Sequence, residues 1–135
     1  ETGEELRFRR GDNFANGFVI RPFVPLVQLG ALGTGGPVFE EYRLIFWKGE
    51  MILAENYNEG LRGSETDFSA FEVLGERINS PFFAADVAKT ESGEMILIEL
   101  NDGGCCGLPP ACHPIDLYAA VARRNGIEVP EEMDW

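Results

Sequence analysis

Hydrophobic and polar positions change their spacing several times along the chain, and each change marks an element. Val38 to Trp47 and Met51 to Tyr57 are dense in aromatic and aliphatic residues and flank Lys48-Gly49-Glu50. Two such runs around a short glycine-containing turn predict a β-hairpin. Phe68, Phe71, Leu74 and Ile78 then recur at intervals of three and four, preceded by Ser64 and Asp67 in a capping arrangement. That spacing predicts an amphipathic helix over roughly 65–79. Phe82–Lys89 and Met95–Asn101 bracket Glu91-Ser92-Gly93-Glu94 and predict a second hairpin. His113-Pro114 opens a second helix through Ile115, Tyr118, Val121 and Ala122, and Asn125-Gly126 closes it.

The first third is less regular. Leu6 and Phe8 among Arg7, Arg9, Arg10 and Asp12 suit a short edge strand or a loose terminus. Phe18 to Leu26 reads FVIRPFVPL, and Pro22 and Pro25 make it an irregular edge strand. Gly30, Gly33, Gly35, Gly36 and Pro37 form a connector without the Lys and Ser/Thr of a phosphate-binding loop. The order strand, hairpin, helix, hairpin, helix gives an α+β fold, an antiparallel sheet with helices packed on one face. Residues 1–17 form an N-terminal extension or edge segment, 18–126 the folded lobe and 127–135 an acidic tail.

Composition narrows the function classes. At 135 residues, 44% hydrophobic with 10 Phe, the chain has the material for one core and is short for two. Eleven Lys and Arg against 23 Asp and Glu leave a net charge of −12, which repels nucleic-acid backbones and anionic membranes. No apolar run approaches the roughly 18 to 20 residues of a membrane span, so a soluble, cytoplasmic protein is expected. Cys105, Cys106 and Cys112 are odd in number and bunched, which points to reduced thiols.

The second hairpin carries the candidate chemistry. A turn centred on Ser92-Gly93 sets Asp86 opposite Glu99, and alternation puts Asn101 on the same face as Glu99. Facing carboxylates repel unless a cation or a shared proton intervenes. Three oxygen donors without imidazole or thiolate suit a hard cation such as Mg²⁺. The plainer reading is an outward hairpin face that is acidic because the whole chain is acidic.

These residues carry a resemblance. The run FFAADVAKTESGEMILIELNDGG, with Asp86 and then Glu99-x-Asn101, resembles the metal-binding end of an ATP-grasp domain. FVIRPFVPL is similar to that family's interdomain segment, and EEYRLIFWKGEMI to its next hairpin. Glu41-Tyr42-Arg43, Gly107-Leu108-Pro109 and the helix after Pro114 most resemble a clade of bacterial and phage ATP-grasp proteins.

The resemblance implies ATP and Mg²⁺ (or Mn²⁺) as cofactors, with Asp86, Glu99 and Asn101 as metal ligands. It implies Arg43 as a catalytic cation near the phosphates, and Arg21, Pro22, Phe23 and Val24 at the nucleotide. The implied reaction is ligation of a small-molecule or peptide carboxylate to an amine through an acylphosphate. The resemblance covers only the C-terminal lobe, from Phe18 to Ala122, so an N-terminal lobe or a second copy is the implied partner. Ala84 stands where many members carry an arginine, and Lys89 falls on the opposite strand face by alternation.

Two other readings bear on function. Cys105, Cys106, Cys112 and His113 lack the spacing of a zinc knuckle, so small buried thiols and a helix-start histidine are expected. The alternative to a ligase lobe is a non-catalytic acidic interaction module that keeps the same fold.

Overall fold

The computed structural model describes residues 22–129 apart from 32, 34, 59, 60 and 62. The expectations for residues 1–17, for Arg21 and for the tail from Pro130 lie outside the described residues. Among the described residues six strands and two helices follow in order: β1 (Gln28–Ala31), β2 (Pro37–Phe39), β3 (Glu41–Trp47), β4 (Glu50–Asn56), α1 (Val73–Arg77), β5 (Phe82–Lys89), β6 (Met95–Asp102) and α2 (Pro114–Arg124). A 3-10 turn, Ser69–Phe71, precedes α1. The main sheet is antiparallel in the order β4-β3-β5-β6, and β1 and β2 form a separate antiparallel pair.

Both expected hairpins form. Lys48 and Gly49, at φ 49° and 86°, make the two-residue turn between β3 and β4, a conformation matched to the twist of paired strands. Thr90 closes the β5–β6 turn by bonding Glu94 through both backbone and side chain, with Gly93 at φ 91°. Asp86 pairs with Glu99 as expected, but next to the turn the register is one residue shorter, with Val87 opposite Leu97, and a bulge between Asp86 and Val87 restores it.

The run from Val38 to Trp47 is divided. Its first residues pair with β1 across the glycine segment, so that segment is a hairpin loop as well as a connector. Glu40 lies between β2 and β3, where its N–H bonds Val27 O and its carbonyl accepts from Lys89 N. Pro22 to Pro25 has no regular structure, and Leu26 makes an isolated bridge to Thr90.

Tyr42, Leu44 and Phe46 of β3 and Phe83, Ala85 and Val87 of β5 form the buried cluster on one sheet face. Phe68, Phe71, Leu74 and Ile78 pack on it, as their spacing implies, but mostly without a helix. Ser64 is the reason: its N–H and hydroxyl bond Glu40 Oε1 at 2.9 and 2.8 Å, and its carbonyl accepts from the Tyr42 hydroxyl at 2.9 Å. These tertiary bonds hold the backbone before Asp67 out of helical geometry, and Asp67 then caps the N–H of Ser69 at 2.9 Å. Only five residues of the predicted helix remain helical in α1.

The second helix forms as expected. His113 Nδ1 accepts from the N–H of Ile115 at 3.3 Å, Pro114 begins the helix, and Gly126 follows it at φ 73°. Its phase differs by one position: Leu117 is the buried residue, and Tyr118 faces solvent. The helix contacts β4, and Arg124 pairs with Glu50 beside the β3–β4 turn.

Gly75 gives a direct test of this packing. A Cβ there would overlap Gly49 O and lie 2.6 Å from Gly49 C, both backbone atoms. Helix propensity alone would make Gly75→Ala stabilising by about 1 kcal/mol. The close approach reverses the sign, and urea denaturation is expected to show a loss of about 2 kcal/mol.

Candidate functional site

One row of ionisable residues crosses the sheet. Glu55 of β4 pairs with Arg43 of β3, Arg43 with Asp86 of β5, and Asp86 with Glu99 of β6. Antiparallel partners project to the same face, so a single cation stands among three carboxylates. Asn101 pairs with Ala84 on that same face, one step along from Asp86.

Arg43 is 5% exposed. Its Nε donates to Asp86 Oδ1 and its Nη2 to Asp86 Oδ2, both at 2.7 Å, a two-pronged charge-assisted pair. Nη1 donates to the carbonyl of Gly107, in the loop after β6. The Tyr57 ring lies 4.8 Å from the guanidinium carbon, within cation–π range. The hydrogen bonds to Asp86 raise the Arg43 pKa despite burial, so the cation is permanent.

Asn101 Nδ2 lies 3.4 Å from Asp86 Oδ2. Rotating the amide would present its oxygen instead, and the two orientations occupy the same space. Arg43 takes one lone pair from each Asp86 oxygen, which leaves each able to accept again. Asp86, Glu99 and Asn101 are thus the side chains on this face that could supply oxygen donors to a hard divalent cation. Among the described residues, no three His, Cys, Asp or Glu side chains gather as a metal cluster.

Pro22, Phe23 and Val24 form no hydrogen bond with this row, and Phe23 is 91% exposed. Lys89 is engaged elsewhere, as strand alternation implies: its Nζ donates to Ser64 Oγ at 2.6 Å and lies 3.9 Å from Glu40 Oε1. Of the expected buried thiols, Cys112 is buried and Cys105 exposed.

Sequence reasoning gave no site role to Glu55, Tyr57, Glu41 or the Gly107 carbonyl, although Glu41 and Gly107 stand in motifs that carry the resemblance. Alternation along β3 places Glu41 on the Arg43 face, but only the fold shows what reaches it. Burial, and then the charge of Asp86, raise the Glu41 carboxyl above its ordinary value of 4.5. Its neighbour Glu40 moves the other way. Burial there favours the neutral acid, but bonds from Ser64 and Tyr42 and the charge of Lys89 outweigh it and lower the pKa.

These geometries carry expected outcomes at the ion pair and at Glu41. Arg43→Met leaves Asp86 buried without its counter-ion and should cost about 3 kcal/mol in urea denaturation. Asp86→Asn should be comparably costly, and the double substitution less than the two added together. Ionised Glu41 disfavours the folded state, because a raised carboxyl pKa contributes stability only at low pH and loses it as pH rises through the folded value. Glu41→Gln is therefore expected to raise the melting temperature at pH 7, with the gain fading below about pH 4.5.

No helix among the described residues is long and apolar enough to cross a membrane. No curated protein and no solved structure matches the chain. A family model for an ATP-grasp domain, the third family of its clade, matches residues 3–121. That match includes every strand and most of α2, and the chain belongs to this ATP-grasp domain family.

Proposed function

We propose that residues 18–126 act as the nucleotide- and metal-binding C-terminal lobe of an ATP-dependent carboxylate–amine ligase. The carrying observation is the row Arg43, Asp86 and Glu99 with Asn101 beside it, in a chain of the ATP-grasp family. Asp86, Glu99 and Asn101 would hold Mg²⁺ or Mn²⁺, whose charge would offset that of the ATP phosphates.

Arg43 fixes Asp86 in orientation through the two-pronged pair. Three of its five N–H groups are engaged by Asp86 and Gly107, and the remaining two are those available to a phosphate oxygen. Pro22, Phe23 and Val24, with Arg21 before them, would meet the nucleotide base, and exposed Phe23 supplies apolar surface for that contact. The reaction is transfer of the γ-phosphoryl group to a small-molecule or peptide carboxylate, then displacement of phosphate by an amine. Stabilising the charge on the transferring group is the main demand of that chemistry. An N-terminal lobe, on the same polypeptide or a partner, would close over the nucleotide.

The Arg43–Asp86 pair also favours a second reading, a non-catalytic acidic module, because Asp86 is neutralised without any metal. One experiment separates the two. Melting with Mg²⁺ and a non-hydrolysable ATP analogue at a hundred times its dissociation constant should stabilise the chain by about 2.7 kcal/mol. Glu99→Gln with Asn101→Ala, on the edge strand and away from the buried pair, should abolish the shift and leave the unliganded melting temperature within about 2 °C. No shift at any accessible concentration favours the module.

A further inference from the structure

The turn after β6 carries two adjacent free thiols, Cys105 and Cys106. Cys105 is exposed, whereas Cys106 is half-buried with Sγ 3.4 Å from the Gly103 carbonyl. Their backbone N–H groups both donate to Asp102 O, at 3.0 and 3.1 Å, and Gly104 N–H bonds Asp102 Oδ1 at 2.8 Å. The turn is thus anchored to the end of β6. Gly107 comes next and gives its carbonyl to Arg43. Any change at the thiol pair therefore acts one residue from the group that holds the Arg43 guanidinium. Cys106 also senses this row electrostatically: burial raises its thiol pKa, and Arg43 opposes the rise.

We propose that Cys105 and Cys106 are a peroxide-sensitive vicinal pair whose oxidation withdraws the Gly107 carbonyl from Arg43. The Cys105 thiolate attacks one oxygen of hydrogen peroxide and the O–O bond breaks; a sulfenic acid forms, and the departing hydroxide takes up the proton the thiol released and leaves as one water. Cys106 sulfur then attacks the sulfenic sulfur. The S–S bond forms, the S–O bond breaks, and a second water departs with the remaining proton. Two thiols and one peroxide thus become a disulfide and two waters.

To reach Cys105, the Cys106 sulfur must leave the Gly103 carbonyl, and closing the ring would strain the turn that precedes Gly107. Adjacent Cα atoms are about 3.8 Å apart, short of the roughly 4.4–6.8 Å usual for a disulfide, so the ring is strained and readily reduced. Such lability belongs to reversible rather than structural disulfides. Cys112 is buried and so is shielded from the same oxidant. The inference goes beyond the ligase reading and does not depend on nucleotide binding.

The test uses the full chain treated with hydrogen peroxide, followed by intact-mass and fragment analysis and by melting. The expected product is monomeric, lighter by two hydrogens, linked between Cys105 and Cys106, and restored by a dithiol reductant. Cys106→Ser should instead trap a sulfenic-acid probe on Cys105, with Cys105→Ser giving no adduct on Cys106. Loss of the Arg43–Gly107 bond should lower the melting temperature of the oxidised chain by about 3 °C, a shift absent from Cys105→Ser. A disulfide between two chains, one involving Cys112, no loss of hydrogens, or an oxidised chain that melts unchanged would each overturn the proposal.

Discussion

The two-pronged pair between Arg43 and Asp86 joins the central strands of the sheet, and the surrounding elements are arranged around its charge. Arg43 arises from β3 and Asp86 from β5, and both are largely withdrawn from water, with side-chain exposures of 6% and 15%. Withdrawing an ion from water costs several kcal/mol, which only close, fully hydrogen-bonded geometry recovers. The structure provides it with two 2.7 Å bonds, the Gly107 carbonyl and the Tyr57 ring. Removing these partners would leave an uncompensated charge between two strands. The loop after β6 is thereby tied back across the sheet, and the acidic residues Glu41, Glu55 and Glu99 are held around one permanent cation.

A second polar network stands at the opposite side of β3. Glu40 collects Ser64 and Tyr42 by hydrogen bonds and Lys89 by charge, and it remains ionised in spite of its burial. The two networks have opposite consequences for pH. Glu40 contributes stability above the ordinary carboxylate range and loses it in acid, whereas Glu41, one residue along, is disfavoured when ionised. Strand alternation sends these neighbours into different surroundings, one provided with donors and one placed beside Asp86. Each carboxylate therefore answers to the groups beside it and not to the charge of the whole chain.

The strongly acidic composition and an ATP-binding family are physically compatible for the same reason. A net charge of −12 describes the whole surface, but a nucleotide responds to the few groups within a Debye length. At the proposed site Arg43 with Asp86, Glu99 and Asn101 would set that local field, and a bound divalent cation would change its sign.

Much of the fold was legible because it depends on local pattern. The alternation and turn residues of 82–101 determined a hairpin, and they pointed to Asp86 opposite Glu99, a pairing that a bulge beside Asp86 completes. Pro114 and Asn125-Gly126 determined the limits of α2 through backbone conformation alone. The spacing of Phe68, Phe71, Leu74 and Ile78 assigns them to the core, where they lie, but not to the conformation they adopt, because Glu40 and Tyr42 compete for the backbone at Ser64 from more than 20 residues away. The partnership of Arg43 with Asp86 was likewise beyond local pattern. It spans 43 residues, and nothing in either segment fixes the register of β3 against β5. By itself the sequence determined which side chains share a strand face; the tertiary structure decided which strands lie side by side, because that choice is made by burial and packing summed over the whole chain.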